Sequence, residues 1–264
     1  MKKKVIIIIF TIILTIQSVF VGTYKIDSNS GKIEKQKASN SVFDENVTLD
    51  WSYVTDGDVM PYSLFTPSNA DKLEKVPLIV WLHGSGEIAV TESVFRARGL
   101  PTVLENWNLD GFSAYVLCPH LSGGWGSTWV NANAKRNLTN VVDKFISEHN
   151  VDTNNIIIVG HSLGGQGALY MAYHMSDYFS KAVVLSGYYV QGVELSQITI
   201  PTIFYTGKSD DGGCTYSMST YFEPIFGEDS CFWVDASHGT VPKMSFTEDN
   251  GKHVRKWTEM DVLM

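Results

Sequence analysis

Ser162 has the strongest claim to chemistry in this 264-residue chain. It stands in Gly160-His161-Ser162-Leu163-Gly164, after the apolar run Ile156-Ile157-Ile158-Val159 and before a segment of helical character from Gly165 to His174. Strand, Gly-x-Ser-x-Gly and helix in that order describe a nucleophile elbow, a strained turn that lifts one hydroxyl out at the top of a sheet. The flanking glycines suit backbones that pass too close for a side chain. A serine hydroxyl is a weak nucleophile at neutral pH. The rest of the chain must therefore supply a base, an acid to orient it, and donors for an oxyanion.

With such an elbow, the acid and then the histidine follow the serine in the chain, each just past a strand. The strand-like run Pro201 to Tyr205 leads into Thr206-Gly207-Lys208-Ser209-Asp210-Asp211, and Cys231 to Val234 leads into Asp235-Ala236-Ser237-His238-Gly239. His238 is the candidate base. The other downstream histidines are His174, inside the elbow helix, and His253, in an expected C-terminal helix. Asp210 is the preferred acid, which would hold the tautomer of His238 and stabilise its imidazolium. Its neighbour Asp211 stays open as the alternative. The oxyanion donors are expected to be the N–H of Leu163, next to the nucleophile, and that of Ser85 in the early loop Leu82-His83-Gly84-Ser85-Gly86-Glu87. His83 reads as a structural hydrogen-bonding residue, because it precedes the nucleophile.

The elements that must position these groups alternate. Strands are expected at Met60–Thr66, Pro77–Leu82, Ala114–Cys118, Ile156–Val159, Lys181–Leu185, Thr202–Tyr205 and Cys231–Val234. A helix is expected over Asn137–His149, where Leu138, Val141, Val142, Phe145 and Ile146 share one face. This alternation predicts an α/β domain with a mostly parallel central sheet flanked by helices. Such sheets bind ligands beyond the carboxyl ends of their strands, where each candidate group falls.

Met60 to Gly239, with Val76-Pro77-Leu78-Ile79-Val80-Trp81-Leu82-His83-Gly84-Ser85-Gly86-Glu87 as its most specific stretch, resembles the α/β-hydrolase superfamily and, within it, the secreted esterase and predicted-peptidase branch. The resemblance implies serine hydrolase chemistry with no metal or organic cofactor. There is no insertion large enough for a cap domain, so the pocket is expected to be built from loops. Trp125 and Trp129 in Leu121–Trp129, and Tyr188 after the strand ending at Leu185, are the candidate substrate-binding residues. The expected reaction is hydrolysis of a carboxylic ester, on a small molecule or linked to a polysaccharide. A serine peptidase of the same fold and a non-catalytic surface binding protein are the alternatives.

Composition narrows the partners. The net charge is −8, from 28 acidic and 20 basic residues, with no basic cluster in the globular part. That disfavours nucleic acid. No His-Glu-x-x-His or paired-cysteine spacing marks a metal site, and no phosphate-binding glycine pattern is present. Met1-Lys2-Lys3-Lys4 followed by apolar residues from Val5 to Gly22 reads as an export signal over residues 1–23. The run is also long enough to remain as a membrane anchor. Residues 24–41 read as a flexible tether and 42–264 as the catalytic domain, secreted or held outside the cytoplasm. Export permits a disulfide, with Cys214 and Cys231 the pair and Cys118 left over; three buried thiols are the other reading.

Overall fold

The computed structural model describes residues 24–26, 33–35, 49–55, 60–88, 99–101, 113–121, 123 and 127–240. The chain divides into two units, Met1–Ser41 and Val42–Met264. In the first, β1 (Tyr24–Ile26) pairs antiparallel with β2 (Ile33–Lys35), inside the stretch read from sequence as a tether. The export segment 1–23 and His253 lie outside the described residues. Among the described residues, no helix is long and apolar enough to cross a membrane.

The second unit is built on eight strands: β3 (Leu49–Val54), β4 (Tyr62–Pro67), β5 (Val76–Leu82), β6 (Tyr115–Pro119), β7 (Val151–His161), β8 (Lys181–Leu185), β9 (Thr202–Ser209) and β10 (Cys231–Ser237). Their order in the sheet is β10-β9-β8-β7-β5-β6-β4-β3. All pairs from β6 to β10 are parallel, and β4 runs antiparallel to both β3 and β6. Runs such as Leu78-Ile79-Val80 and Ile156–Val159 are buried throughout, as expected of parallel strands covered on both faces. This is the α/β-hydrolase fold.

Strand β3 escapes sequence reading because Leu49-Asp50-Trp51-Ser52-Tyr53-Val54 is half polar. It lies at the sheet edge, where one side needs no partner and tolerates polar groups. Helix α1 spans Ala132–Glu148 and buries Leu138, Val141, Val142 and Phe145. It begins five residues before the expected start at Asn137 because the Asn131 side chain accepts the Ala134 N–H at 2.8 Å, a cap that starts the helix independently of burial. Helix α2 (Leu163–His174) carries buried residues all round, from Gly164 to Ala172, and packs against the ends of β5, β7 and β8.

The three cysteines are unpaired and buried, which corrects the Cys214–Cys231 pairing. Cys231 opens β10, whereas Cys214 Sγ lies 3.7 Å from His238 Nδ1, just past that strand's other end. The two ends of a seven-residue strand are about 20 Å apart. A disulfide tolerates a Cα separation of only about 7 Å.

Candidate active site

Ser162 sits between β7 and α2 with φ 57° and ψ −116°, a conformation that L-residues rarely adopt. Two backbone bonds hold it there. Its N–H donates to the Leu185 carbonyl of β8 at 2.9 Å, and its carbonyl accepts from Gln166 at 3.0 Å, inside α2. Close packing explains Gly164: a Cβ there would overlap the carbonyls of Leu82 and His83. The elbow is therefore pressed onto the end of β5 and the loop that follows it.

That loop carries the second set of amides. A Cβ at Gly84 would lie 3.5 Å from Ser162 Cβ, so the loop runs beside the nucleophile. Ser85 opens a 3-10 turn (Ser85–Glu87), and Leu163 opens α2. The N–H groups of first helical residues have no acceptor within their own helix and remain available to an anion. His83 clamps the loop. Its Nε2 accepts the Leu121 N–H at 3.0 Å, so Nδ1 carries the proton and donates to the Gly84 carbonyl at 2.8 Å. Burial lowers the His83 pKa to about 4 and keeps the ring in this neutral form.

Trp129 belongs to the same clamp. Its indole N–H donates to the His83 carbonyl at 3.0 Å, and its side chain is fully buried against Gly167 of α2. This corrects its placement among substrate-binding residues: the ring supports the loop from inside the core. Trp125 lies outside the described residues.

The candidate acid and base stand past the ends of β9 and β10. Asp210 Oδ1 accepts from His238 Nδ1 at 2.7 Å and from the Asp211 N–H at 2.8 Å. Its Oδ2 accepts from the Ser186 hydroxyl at 2.6 Å and the Gly207 N–H at 3.2 Å. The Asp210 side chain is fully enclosed, whereas His238 is 32% exposed. Burial pushes the Asp210 pKa up. The hydrogen bonds from His238, Ser186, Asp211 and Gly207 outweigh it and bring the value down to about 2. The hydrogen bond to Asp210 raises the His238 pKa above the usual histidine value; burial opposes this, and the charges of Asp210 and Asp211 reinforce it.

Asp211 does a different job. Its Oδ1 caps the short helix α3 (Gly212–Ser217) by accepting the N–H groups of Gly213 and Cys214 at 2.9 and 3.1 Å. Its Oδ2 accepts the Tyr188 hydroxyl at 2.6 Å and lies 3.4 Å from His238 Nδ1. Tyr188 is half-buried, so its ring borders the acid loop while its hydroxyl is committed to Asp211.

Three further residues escape sequence reading. Ser186 holds Asp210 from a left-handed position at φ 47°, with its N–H on the Tyr205 carbonyl at 2.8 Å. His161 Nε2 donates to the His238 carbonyl at 2.9 Å, and the two rings lie 5.0 Å apart. Burial lowers the His161 pKa to about 4, so it is a neutral tether for the base loop. Cys214 donates its thiol to the Ser186 carbonyl at 3.0 Å. Only His161 carries any sequence signal, its place within the elbow motif.

The chain and its fold are similar to known proteins. The Esterase family model ("Putative esterase") matches residues 55–260. A protein of Arthroderma benhamiae named "Uncharacterized secreted protein" is 29% identical over 153 residues, 52% of this chain and 15% of that protein. Carboxylesterase 1E of Rattus norvegicus is 25% identical over 177 residues, 61% of this chain and 28% of the enzyme. The chain thus spans less than a third of the length of either relative. Among solved structures, the feruloyl esterase module from Clostridium thermocellum complexed with sinapinate superposes with a TM-score of 0.59 at 15% identity, covering 85% of this chain and 94% of that one. An elbow serine beside an amide-bearing loop, an Asp–His pair at neighbouring strand ends and a family match over most of its length place this chain in the Esterase family of the α/β-hydrolase fold.

Proposed function

We propose that the protein is a serine carboxylic-ester hydrolase acting through an acyl-enzyme on Ser162. The observation that carries this reading is the convergence of the strained Ser162 turn and the 2.7 Å Asp210–His238 bond at the carboxyl ends of β7, β9 and β10. Because Nδ1 of His238 is engaged by Asp210, Nε2 is the nitrogen that takes the Ser162 proton as Oγ attacks the ester carbonyl. The N–H groups of Leu163 and Ser85 receive the developing oxyanion. His238 then returns the proton to the leaving alcohol, and water releases the acid by the same steps in reverse. His161 steadies the base through its carbonyl, and Ser186 steadies the acid. The likeness to a secreted relative and the basic, apolar N-terminus support action outside the cytoplasm.

The test is a panel of acetyl, longer acyl and feruloyl esters alongside peptide amides, run on the native protein and Ser162→Ala. Turnover of esters, lost in Ser162→Ala, is the expected outcome. Preferential turnover of amides would replace this reading with a peptidase. No turnover and no fluorophosphonate labelling of the native protein would leave a binding protein.

A further inference from the structure

His238 meets two carboxylates on its Nδ1 edge, and both are prepared. Asp210 Oδ1 takes the proton at 2.7 Å. Asp211 Oδ2 lies 3.4 Å from the same nitrogen, just past the range of about 2.7–3.2 Å for an N–H···O bond. The two side chains are held alike. Each accepts one hydroxyl at 2.6 Å, that of Ser186 for Asp210 and that of Tyr188 for Asp211. Each also accepts two backbone N–H groups, from Gly207 and Asp211 in the first case and from Gly213 and Cys214 in the second. Capping α3 occupies Oδ1 of Asp211, so the cap does not explain why Oδ2 is turned to His238.

Tyr188 fixes that orientation. A Cβ on Gly213 would overlap its ring, so glycine lets the ring press on the start of α3 while the hydroxyl reaches Oδ2. Burial pushes the Asp211 pKa up. The Tyr188 hydroxyl, the Cys214 and Gly213 amides and the charge of His238 hold it below the ordinary value, so the side chain is an anion at neutral pH. Cys214 Sγ, 3.7 Å from Nδ1, is no rival acceptor. It donates to the Ser186 carbonyl at 3.0 Å, and burial and the two carboxylates keep its proton on. Among the described residues, Asp211 Oδ2 is thus the acceptor next in line for the Nδ1 proton. We propose that Asp211 is a second positioning residue for the base: a carboxylate oriented by Tyr188 that shares the charge of the His238 imidazolium with Asp210 and holds the Nδ1 tautomer when Asp210 is lost.

The role is electrostatic, and the Nδ1 proton stays on the ring throughout. As Nε2 takes the Ser162 proton, the ring becomes a cation with carboxylate oxygens 2.7 and 3.4 Å from Nδ1. The farther anion adds little while the nearer one is present, because its side chain is 42% exposed and solvent screens it. With the nearer carboxylate gone, a small tilt of the ring brings Nδ1 within bonding distance of Asp211 Oδ2. The neutral base then keeps its proton on Nδ1 and its lone pair on Nε2, as attack by Ser162 requires. The effect of Asp211 therefore depends on whether Asp210 is there, which a helix cap or a remote charge would not show.

The kinetic consequence rests on the ester-hydrolase reading, whereas the Nδ1 hydrogen bond does not, and two measurements on the full chain keep them apart. The first is a double-mutant cycle in ester kcat/KM. Asp211→Asn, which keeps the helix cap, should cost about 2- to 5-fold in the native protein, the worth of a half-exposed charge. In the Asp210→Ala background it should cost roughly 10- to 100-fold, the worth of a charge-assisted hydrogen bond. In the second, proton NMR follows the low-field Nδ1–H signal of His238, where no turnover is needed. The signal should persist in Asp210→Ala and vanish when Asp211→Asn is added. Asp210→Ser, which leaves a hydroxyl for the Gly207 N–H, takes the place of Asp210→Ala if that variant does not fold. An equal factor for Asp211→Asn in both backgrounds, or no low-field signal once Asp210 is replaced, overturns the role. A signal that survives replacement of Asp210 in a protein without any ester turnover upholds the role of Asp211 and overturns the ester-hydrolase reading instead.

Discussion

The two halves of the candidate site are held in place by different physics. The nucleophile half, Ser162 with Leu163 and the Gly84–Ser85 loop, is held mainly by backbone: main-chain hydrogen bonds, a left-handed serine, and glycines where no Cβ fits, with the neutral His83 and Trp129 side chains clamping the loop from inside the core. The acid–base half is held by side chains. Asp210, His238, Ser186, Asp211 and Tyr188 are linked through short polar contacts on loops past β8, β9 and β10. Backbone packing is insensitive to charge and intolerant of volume. A polar network behaves in the opposite way: it answers to protonation and to the loss of a single partner.

The comparison can be tested from the largest effect downward. Ser162→Ala should lower kcat by about 10⁴- to 10⁶-fold with the fold retained, read by ester kinetics and circular dichroism. Asp210→Asn should cost about 10⁴-fold, because the amide can present a donor to Nδ1 and leave the wrong tautomer in place. Gly164→Ala should lower stability by about 3 kcal/mol in urea unfolding, through overlap with the Leu82 and His83 carbonyls. An alanine accommodated there without loss would break the claim that volume governs the nucleophile half. Ser186→Ala should reduce kcat/KM by roughly 10- to 100-fold, the worth of one charge-assisted hydrogen bond, while leaving the urea midpoint less affected than Gly164→Ala does.

Acid separates the halves more gently. His238, raised by Asp210, should protonate at a higher pH than an ordinary histidine, so ester turnover should fall away above pH 6.5 as the solution is acidified. Asp211→Asn removes a neighbouring negative charge and should move that limb to lower pH. Stability follows the buried neutral histidines. His83 and His161 titrate near 4 when folded and near 6.5 when unfolded, so the unfolded chain takes up protons first. Their contribution is complete above pH 6.5 and is lost between 6.5 and about 4. Asp210 keeps its own contribution until the pH falls below 3.8 towards 2. His238, raised by Asp210, contributes with the opposite sign, so urea midpoints that rise between pH 7 and pH 5 in His238→Ala would contradict this account of the buried histidines.

Sequence alone was enough for the fold class, since strand runs and an elbow motif are local patterns. It stopped where neighbours in the chain differ only in direction. Asp210 and Asp211 are adjacent and chemically identical, and the turn after β9 aims one at Nδ1 from 2.7 Å and leaves the other at 3.4 Å, engaged by Tyr188. Trp129 could not be told from a pocket aromatic, because a glycine-rich loop reads the same whether its ring faces solvent or the core. Ser186, His161 and Cys214 gave almost no warning, since their roles depend on partners 24 to 77 residues away. The elbow at Ser162 is written in the chain because its strain and its glycines are local requirements. The network around His238 was decided by the tertiary structure, because its contacts exist only once parallel strands bring separate loops to one edge of the sheet.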